Sequence, residues 1–241
     1  MFLATAVSAQ NNRVQNLPVY DYAKYHFGFV LSVNQMNFAI KPVENLHQIV
    51  FDSTYVEDFT ADSAILYGVE HDPTFGFTVG IVSNLRLGEY FDLRFIPSLS
   101  FGERYLDYRI MKFRNGEESL IEIRKSIQST YVDLPLHVKY KTKRDGNFRG
   151  YVLTGGNFRI DLASQAKKER ETTQVLIKLD RTDLYYEIGV GFDWYFEWFK
   201  FGTELKMSYG VFDILKREAN IYTDGIDKFN SKIFQLSFTF E

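Results

Sequence analysis

The stretch Lys232 to Phe240 constrains the fold more than any other. Ile233 opens it, Phe234, Leu236, Phe238 and Phe240 follow at every second position, and Gln235, Ser237 and Thr239 stand between them. A period of two over this length describes a strand whose faces meet different media, one apolar and one polar. Such a strand leaves backbone N–H and C=O groups open along both sides, so it demands neighbours of the same kind.

Seven further runs of this type precede it. The first sets Phe27, Phe29, Leu31 and Val33 against Gly28, Val30, Ser32 and Asn34, and the second sets Phe75, Phe77, Val79 and Ile81 against Thr74, Gly76, Thr78 and Gly80. In the third, Phe91, Leu93, Phe95, Leu99 and Phe101 oppose Asp92, Arg94, Ser98 and Ser100. In the fourth, Val132, Leu134, Leu136, Val138 and Tyr140 oppose Asp133, His137 and Lys139. The fifth, Phe148 to Ile160, is interrupted by Gly155-Gly156, and Tyr151 with Leu153 is expected to form its outer face. The sixth places Leu184, Tyr186, Ile188, Val190 and Phe192 against Glu187, Gly189, Gly191 and Asp193. The seventh places Phe199, Phe201, Leu205, Met207 and Tyr209 against Lys200, Gly202, Glu204, Lys206 and Ser208. Charges keep to one face throughout.

The connections alternate in length, which a sandwich has no reason to do. Short ones run from Asn84 to Glu89, Thr142 to Asn147 and Trp194 to Trp198; long ones run from Ala39 to Asp72, around Asn115, from Asp161 to Arg181 and from Asp213 to Ser231. The pattern predicts an all-β fold, an eight-stranded antiparallel transmembrane β-barrel over residues 26–241 with short periplasmic turns and long extracellular loops. It places the barrel in the bacterial outer membrane with both termini periplasmic. Phe234, Leu236, Phe238 and Phe240 are then lipid-facing on the closing strand, with Phe27 to Val33 as its neighbour. Trp194, Tyr195 and Trp198 fall where an aromatic belt would meet lipid headgroups. No stretch reaches the roughly 18 apolar residues of a membrane helix.

Composition agrees. Aromatic residues make up 17% of the 241 residues, 23 of them Phe and 16 Tyr, which suits strands and membrane interfaces. A net charge of −3 leaves no basic face for a row of phosphates, so no nucleic-acid partner is expected. Lys167, Lys168 and Arg170, interrupted by Glu169 and Glu171, read as a solvated loop. Cysteine is absent, so there is no disulfide framework. Phe2 to Ala6 followed by Val7-Ser8-Ala9 has the small-residue pattern of a leader cleavage site, which makes residues 1–9 the remnant of a signal peptide and 10–25 a periplasmic segment.

An eight-stranded barrel has an interior that side chains can fill. The inward set is Asp92, Arg94, Asp133, His137, Lys139, Glu187, Asp193, Lys200, Glu204 and Lys206, with both signs present, and it reads as a structural plug of ion pairs. Catalytic signatures are missing: no G-x-S-x-G elbow, no H-E-x-x-H, and no histidine among His26, His47, His71 and His137 followed two residues later by serine. Asp224-Gly225 with Asp227 reads as a turn. No catalytic residue, metal site, cofactor or small-molecule substrate is expected.

Two features break the pattern. Pro97 and Pro135 sit inside the third and fourth runs, at similar depth on neighbouring strands, where neither can donate to a ladder. They mark a bulged or weakly paired seam, either a barrel corner or a lateral contact for a partner. The same two strands outrun the bilayer, since Arg109 to Arg114 and Leu120 to Thr130 continue them around an Asn115-Gly116 turn. The surplus predicts a two-stranded projecting ribbon, with Thr172 to Leu179 beside it.

The segment Tyr131-Val132-Asp133-Leu134-Pro135-Leu136-His137-Val138-Lys139-Tyr140 resembles the aromatic-x-acid-x-Pro-Leu-x-x-Lys-Tyr strand of the outer-membrane barrel family that includes PorT. Leu85-Arg86-Leu87-Gly88, Phe95-Ile96-Pro97-Ser98-Leu99, Gly155-Gly156 with Asp161-Leu162-Ala163, and Ile188 to Phe192 leading to Phe199-Lys200-Phe201 are similar to it as well. The resemblance runs from about His26 onward. It implies an accessory component of the type IX secretion system, which exports proteins bearing carboxyl-terminal signals and supports gliding motility where present, through contacts with other secretion subunits. It brings no catalytic residue. Glu241 after the last Phe departs from the usual barrel ending. A free-standing anchoring or adhesive barrel is the second reading, and a lipid A-modifying enzyme a remote third.

Overall fold

The computed structural model describes residues 15–56, 60–163 and 177–241. The expected signal-peptide remnant, the Lys167 to Glu171 loop and most of Thr172 to Leu179 lie outside the described residues. Among the described residues, ten strands form one antiparallel sheet: β1 (Tyr25–Pro42), β2 (Val50–Asp52), β3 (Ser63–Arg86), β4 (Phe91–Phe95), β5 (Ser98–Arg114), β6 (Glu117–Lys141), β7 (Phe148–Asp161), β8 (Thr182–Tyr195), β9 (Lys200–Gly210) and β10 (Ile226–Phe240). β10 pairs with β9 on one side and with β1 on the other, Phe29 opposite Phe240 and Met36 opposite Ile233, while β1 also pairs with β3. The sheet therefore returns on itself, and the long strands are left without a free edge.

Ten strands stand where the sequence pattern gave eight, for two physical reasons. The third run is divided: β4 and β5 occupy the same place between β3 and β6, separated by Ile96-Pro97. The extra strand β2 pairs with the far end of β3 alone.

The strands are longer than a bilayer needs. β3 spans 24 residues and β6 spans 25, against roughly 9 to 11 for a membrane strand. The excess lies at the end away from Tyr25 and Phe240, called distal below. There β3, β5 and β6 continue together as a three-stranded sheet, from Ser63 opposite Phe113 and Arg114 opposite Glu117, closed by the turn at Asn115 (φ 53°) and Gly116 (φ 83°). Left-handed angles at both central residues define the hairpin turn that Asn-Gly favours. The projection is thus wider than the two-stranded ribbon expected from sequence, because Ser63 to Asp72, read as loop, is strand.

Along these strands the polarity of the two faces exchanges. On β6 the outward residues are Tyr140, Val138, Leu136, Leu134 and Val132, then Thr130, Gln128, Ser126, Arg124 and Glu122; the inward ones are Lys141, Lys139, His137 and Asp133, then Ile127, Ile123 and Ile121. The physical cause is the medium outside. Where lipid covers the outer wall, the interior holds the polar groups; beyond it, water covers the outer wall and the interior must supply the apolar core.

That distal core is continuous. Phe38, Phe51, Leu66, Leu106, Tyr108, Ile110, Ile127, Ile226 and Phe229 from the strands meet Leu46, Ile214, Leu215, Ile221 and Tyr222 from the connections. A short helix α1 (Ile221–Asp224) delivers the last two, capped by the Asn220 side chain, which accepts from the Tyr222 and Thr223 amides. Each large apolar side chain buried there contributes about 1.5–3 kcal/mol, and that burial is among protein side chains.

Candidate functional site

Each tier of the interior follows from alternation, since successive inward residues of one strand stack at different depths. At the near mouth, residues 15–24 fold across the opening. Asp21 is bound by Arg149 at 2.9 Å and by the Tyr195 hydroxyl at 3.1 Å, with Arg144 at 3.5 Å. Asn16 donates to Asn147 Oδ1 and to the Tyr195 carbonyl, and Tyr20 stacks on His26 at 4.0 Å. Burial alone would raise the Asp21 carboxyl, but Arg149, the Tyr195 hydroxyl and Arg144 outweigh it and hold the group below its ordinary value.

Below this lid, Glu241 turns its side chain into the interior. It accepts from Lys200 at 2.8 Å, Arg94 at 3.1 Å and the Tyr20 hydroxyl at 3.2 Å. Arg94 also reaches Glu204 at 3.3 Å, which accepts from Tyr151 at 3.1 Å. Lys139 pairs with Asp193 at 2.7 Å and lies over the Tyr151 ring at 3.5 Å; Lys141 pairs with Asp92 at 2.6 Å. Deeper, Glu187 is held by His137 at 2.6 Å, Ser208 at 2.7 Å, Lys206 at 3.0 Å and Asn157 at 3.0 Å. Asp133 takes Arg159, Ser100 and Asn157. All the inward charges expected from sequence are buried, and each is paired within one of three groups, around Glu241 and Glu204, between Lys141 and Asp92, and around Glu187 and Asp133.

Arg104 ends the polar zone. It is 1% exposed, donates to Ser231, Ser129 and the Tyr131 hydroxyl, and lies 4.0 Å from the Phe38 ring centroid. Among the described residues no carboxylate pairs with it, so hydroxyls and ring faces carry its solvation.

Several residues in this set were not expected from sequence: Tyr20, Asp21, Arg104, Lys141, Arg149, Arg159 and Glu241. Phase would have found some, since Lys141 lies two past Lys139 and Arg159 two past Asn157. Two assignments are corrected. Tyr151 and Leu153 face inward, 4% and 1% exposed, because the hydroxyl of Tyr151 has Glu204 to bind and Gly189 and Gly191 opposite leave room for both side chains. Tyr195 also points inward, in phase with Asp193, under the Arg144 guanidinium at 3.7 Å. Trp194 and Trp198 are exposed on the outer wall and rim. Phe234, Leu236, Phe238 and Phe240 are outward, with Phe240 stacked on Phe29 at 4.8 Å.

The proline seam is interrupted without being bulged. Phe95 faces Leu136 and Ser98 faces Asp133, so the two skipped positions leave the register unchanged. The amide of Leu134 donates to the Asn157 side chain, and Pro135 keeps its place opposite Asn157. Register shifts fall on β3 instead, between Leu66 and Gly68 and between Pro73 and Phe77.

A closed antiparallel sheet, apolar outside over a band of its height and packed with paired charges inside that band, defines an integral membrane β-barrel. The chain belongs to the family described as outer membrane protein beta-barrel domain, whose model matches residues 8–216. This places it in the outer membrane. Among solved structures it is similar to the crystal structure of the outer membrane protein OprG from Pseudomonas aeruginosa, at 12% identity and a TM-score of 0.41, over 90% of this chain and 95% of that one. No curated protein sequence matches it.

Proposed function

We propose that the protein is a non-enzymatic outer-membrane component of the type IX secretion system, needed for export of proteins with carboxyl-terminal secretion signals and for gliding where that occurs, and that it acts through protein contacts. The near end, with both termini, is the periplasmic one. The observation that carries the reading is the likeness of Tyr131 to Tyr140, together with Phe95 to Leu99 and Ile188 to Phe192, to PorT-like barrels. An interior filled by Arg94, Glu187, Glu204 and Glu241 supports it, since contact surfaces then lie on the outer wall, the lidded mouth and the projecting β3-β5-β6 sheet. Other secretion subunits are the partners, and no small-molecule substrate or cofactor is involved.

The test is deletion of the gene followed by assay of the medium. Substrates with carboxyl-terminal signals should be retained in the periplasm, and restored by the intact gene. Normal export would overturn the reading. The second reading, a free-standing anchoring or adhesive barrel, is favoured by the self-contained distal core, and predicts normal export with altered surface attachment.

A further inference from the structure

The polarity exchange has a basic side. On β1 and β10, directly beyond the apolar band, Lys41 stands opposite Lys228 and Asn37 opposite Lys232, all on the outward face. Like charges directly opposite on adjacent strands are unfavourable, and a sheet that keeps such a pair has something nearby to answer it. Asp227 answers Lys41 at 2.9 Å, and Arg217 is engaged by Asp213 at 3.0 Å and by the Ile226 and Asp227 carbonyls. For Lys228 and Lys232 the structure gives no carboxylate partner among the described residues. Lys232 instead lies 5.0 Å from the ring centroid of Phe234, the first apolar residue of the lipid-facing band.

The patch is one-sided. On the β3-β5-β6 wall the stretch beyond the apolar band carries Glu70, Asp72, Glu103 and Asp107, with Arg109 and Arg124 tied to three of them. A general preference for charge at a water-exposed rim would give mixed signs around the circumference. Here four cations against two carboxylates gather on β1, β10 and the Arg217 connection, at the depth where lipid headgroups begin.

We propose that Lys228 and Lys232, with Lys41 and Arg217 beside them, form a site for the phosphate groups of a phosphorylated glycolipid in the distal leaflet. The acyl chains lie along Phe234, Leu236, Phe29 and Leu31 below, and the phosphates reach the ammonium groups above. Lysine suits this role because its flexible stem carries a point charge to the headgroup plane. The site rests on the outer-membrane placement and on the reading above that the near end is the periplasmic one, and it is independent of any secretion role.

The test uses the folded barrel in a zwitterionic detergent, probed by native mass spectrometry with bis-phosphorylated lipid A, the same lipid after phosphatase treatment, and inorganic phosphate. The bis-phosphorylated form should be retained in preference to the dephosphorylated one. Lys228→Gln/Lys232→Gln should retain it about thirtyfold less, from roughly fivefold per lysine near a charged surface. Lys112→Gln/Arg114→Gln at the distal tip should leave retention unchanged. Both Lys228 and Lys232 are outward, so folding is expected to survive, as judged by the heat-modifiable gel shift; should the double variant fail to fold, loss of retention by wild type as salt is raised takes its place. Equal retention of the phosphatase-treated lipid, an unchanged double variant, or displacement by inorganic phosphate at equal concentration would each overturn the proposal.

Discussion

Replacing Glu187 by Gln tests whether the interior is a charge-balanced plug. Glu187 is fully buried, and its two oxygens serve His137, Lys206, Ser208 and Asn157, all within 3.0 Å. Gln keeps the shape and removes the charge, so Lys206 is left buried without its counter-ion, and one amide N–H₂ now faces donors. Breaking a buried pair from one side costs about 3–5 kcal/mol. For a chain of this size each kcal/mol lowers Tm by roughly 2–4 °C, which gives a loss of about 6–20 °C. The assay is thermal or urea unfolding of the detergent-folded barrel, followed by tryptophan fluorescence and the gel shift. Adding Lys206→Met to Glu187→Gln should return part of the loss, because the orphaned cation is gone. A loss below about 1 kcal/mol for the single variant, or simple additivity in the double, would refute the view that these charges are held by one another.

Two further outcomes follow from other tiers. Gly191→Ala puts a methyl group into the Tyr151 ring and against the Thr203 carbonyl, and unfolding should show a loss of about 1–3 kcal/mol, relieved in part by Tyr151→Leu in the same chain. Asp21→Asn should release residues 15–24 from the near mouth, seen as faster hydrogen exchange or proteolysis there with the barrel intact. The pH dependence has a definite sign: a carboxyl held below its ordinary value of 3.8 contributes stability that is complete above that value and is lost as pH falls beneath it. Protection of residues 15–24 should therefore fade below about pH 4.

The body of β8 was legible because Leu184 to Asp193 alternates without a fault, with Gly189 and Gly191 where Leu153 and Tyr151 need room, while its last two residues, Trp194 and Tyr195, were read as connection. The distal half of β3 was not, because register shifts at Gly68 and near Pro73 change which parity faces inward, and a search for strict alternation stops at each. Tyr151 and Leu153 were misplaced for a related reason: greasy residues were assigned to lipid, whereas an interior lined by glycine can accept them. Partners were beyond reach altogether. Arg94 on β4 meets Glu204 on β9, strands that share no ladder, so the pairing exists only once the barrel has closed. The charged residues were visible; who neutralises whom was written in the circumference.

The exchange of faces along β1, β6 and β10 also sets a waterline. A barrel apolar along its whole outer wall could ride higher or lower in its bilayer at little expense. Here, sinking by two residues would draw Lys232, Thr130 and Glu103 into hydrocarbon, while rising by two would strand Phe234 and Val132 in water. Either displacement costs a few kcal/mol at the depths concerned. The chain therefore carries its own draught mark, and whatever meets the projecting sheet meets it at a fixed height above the membrane.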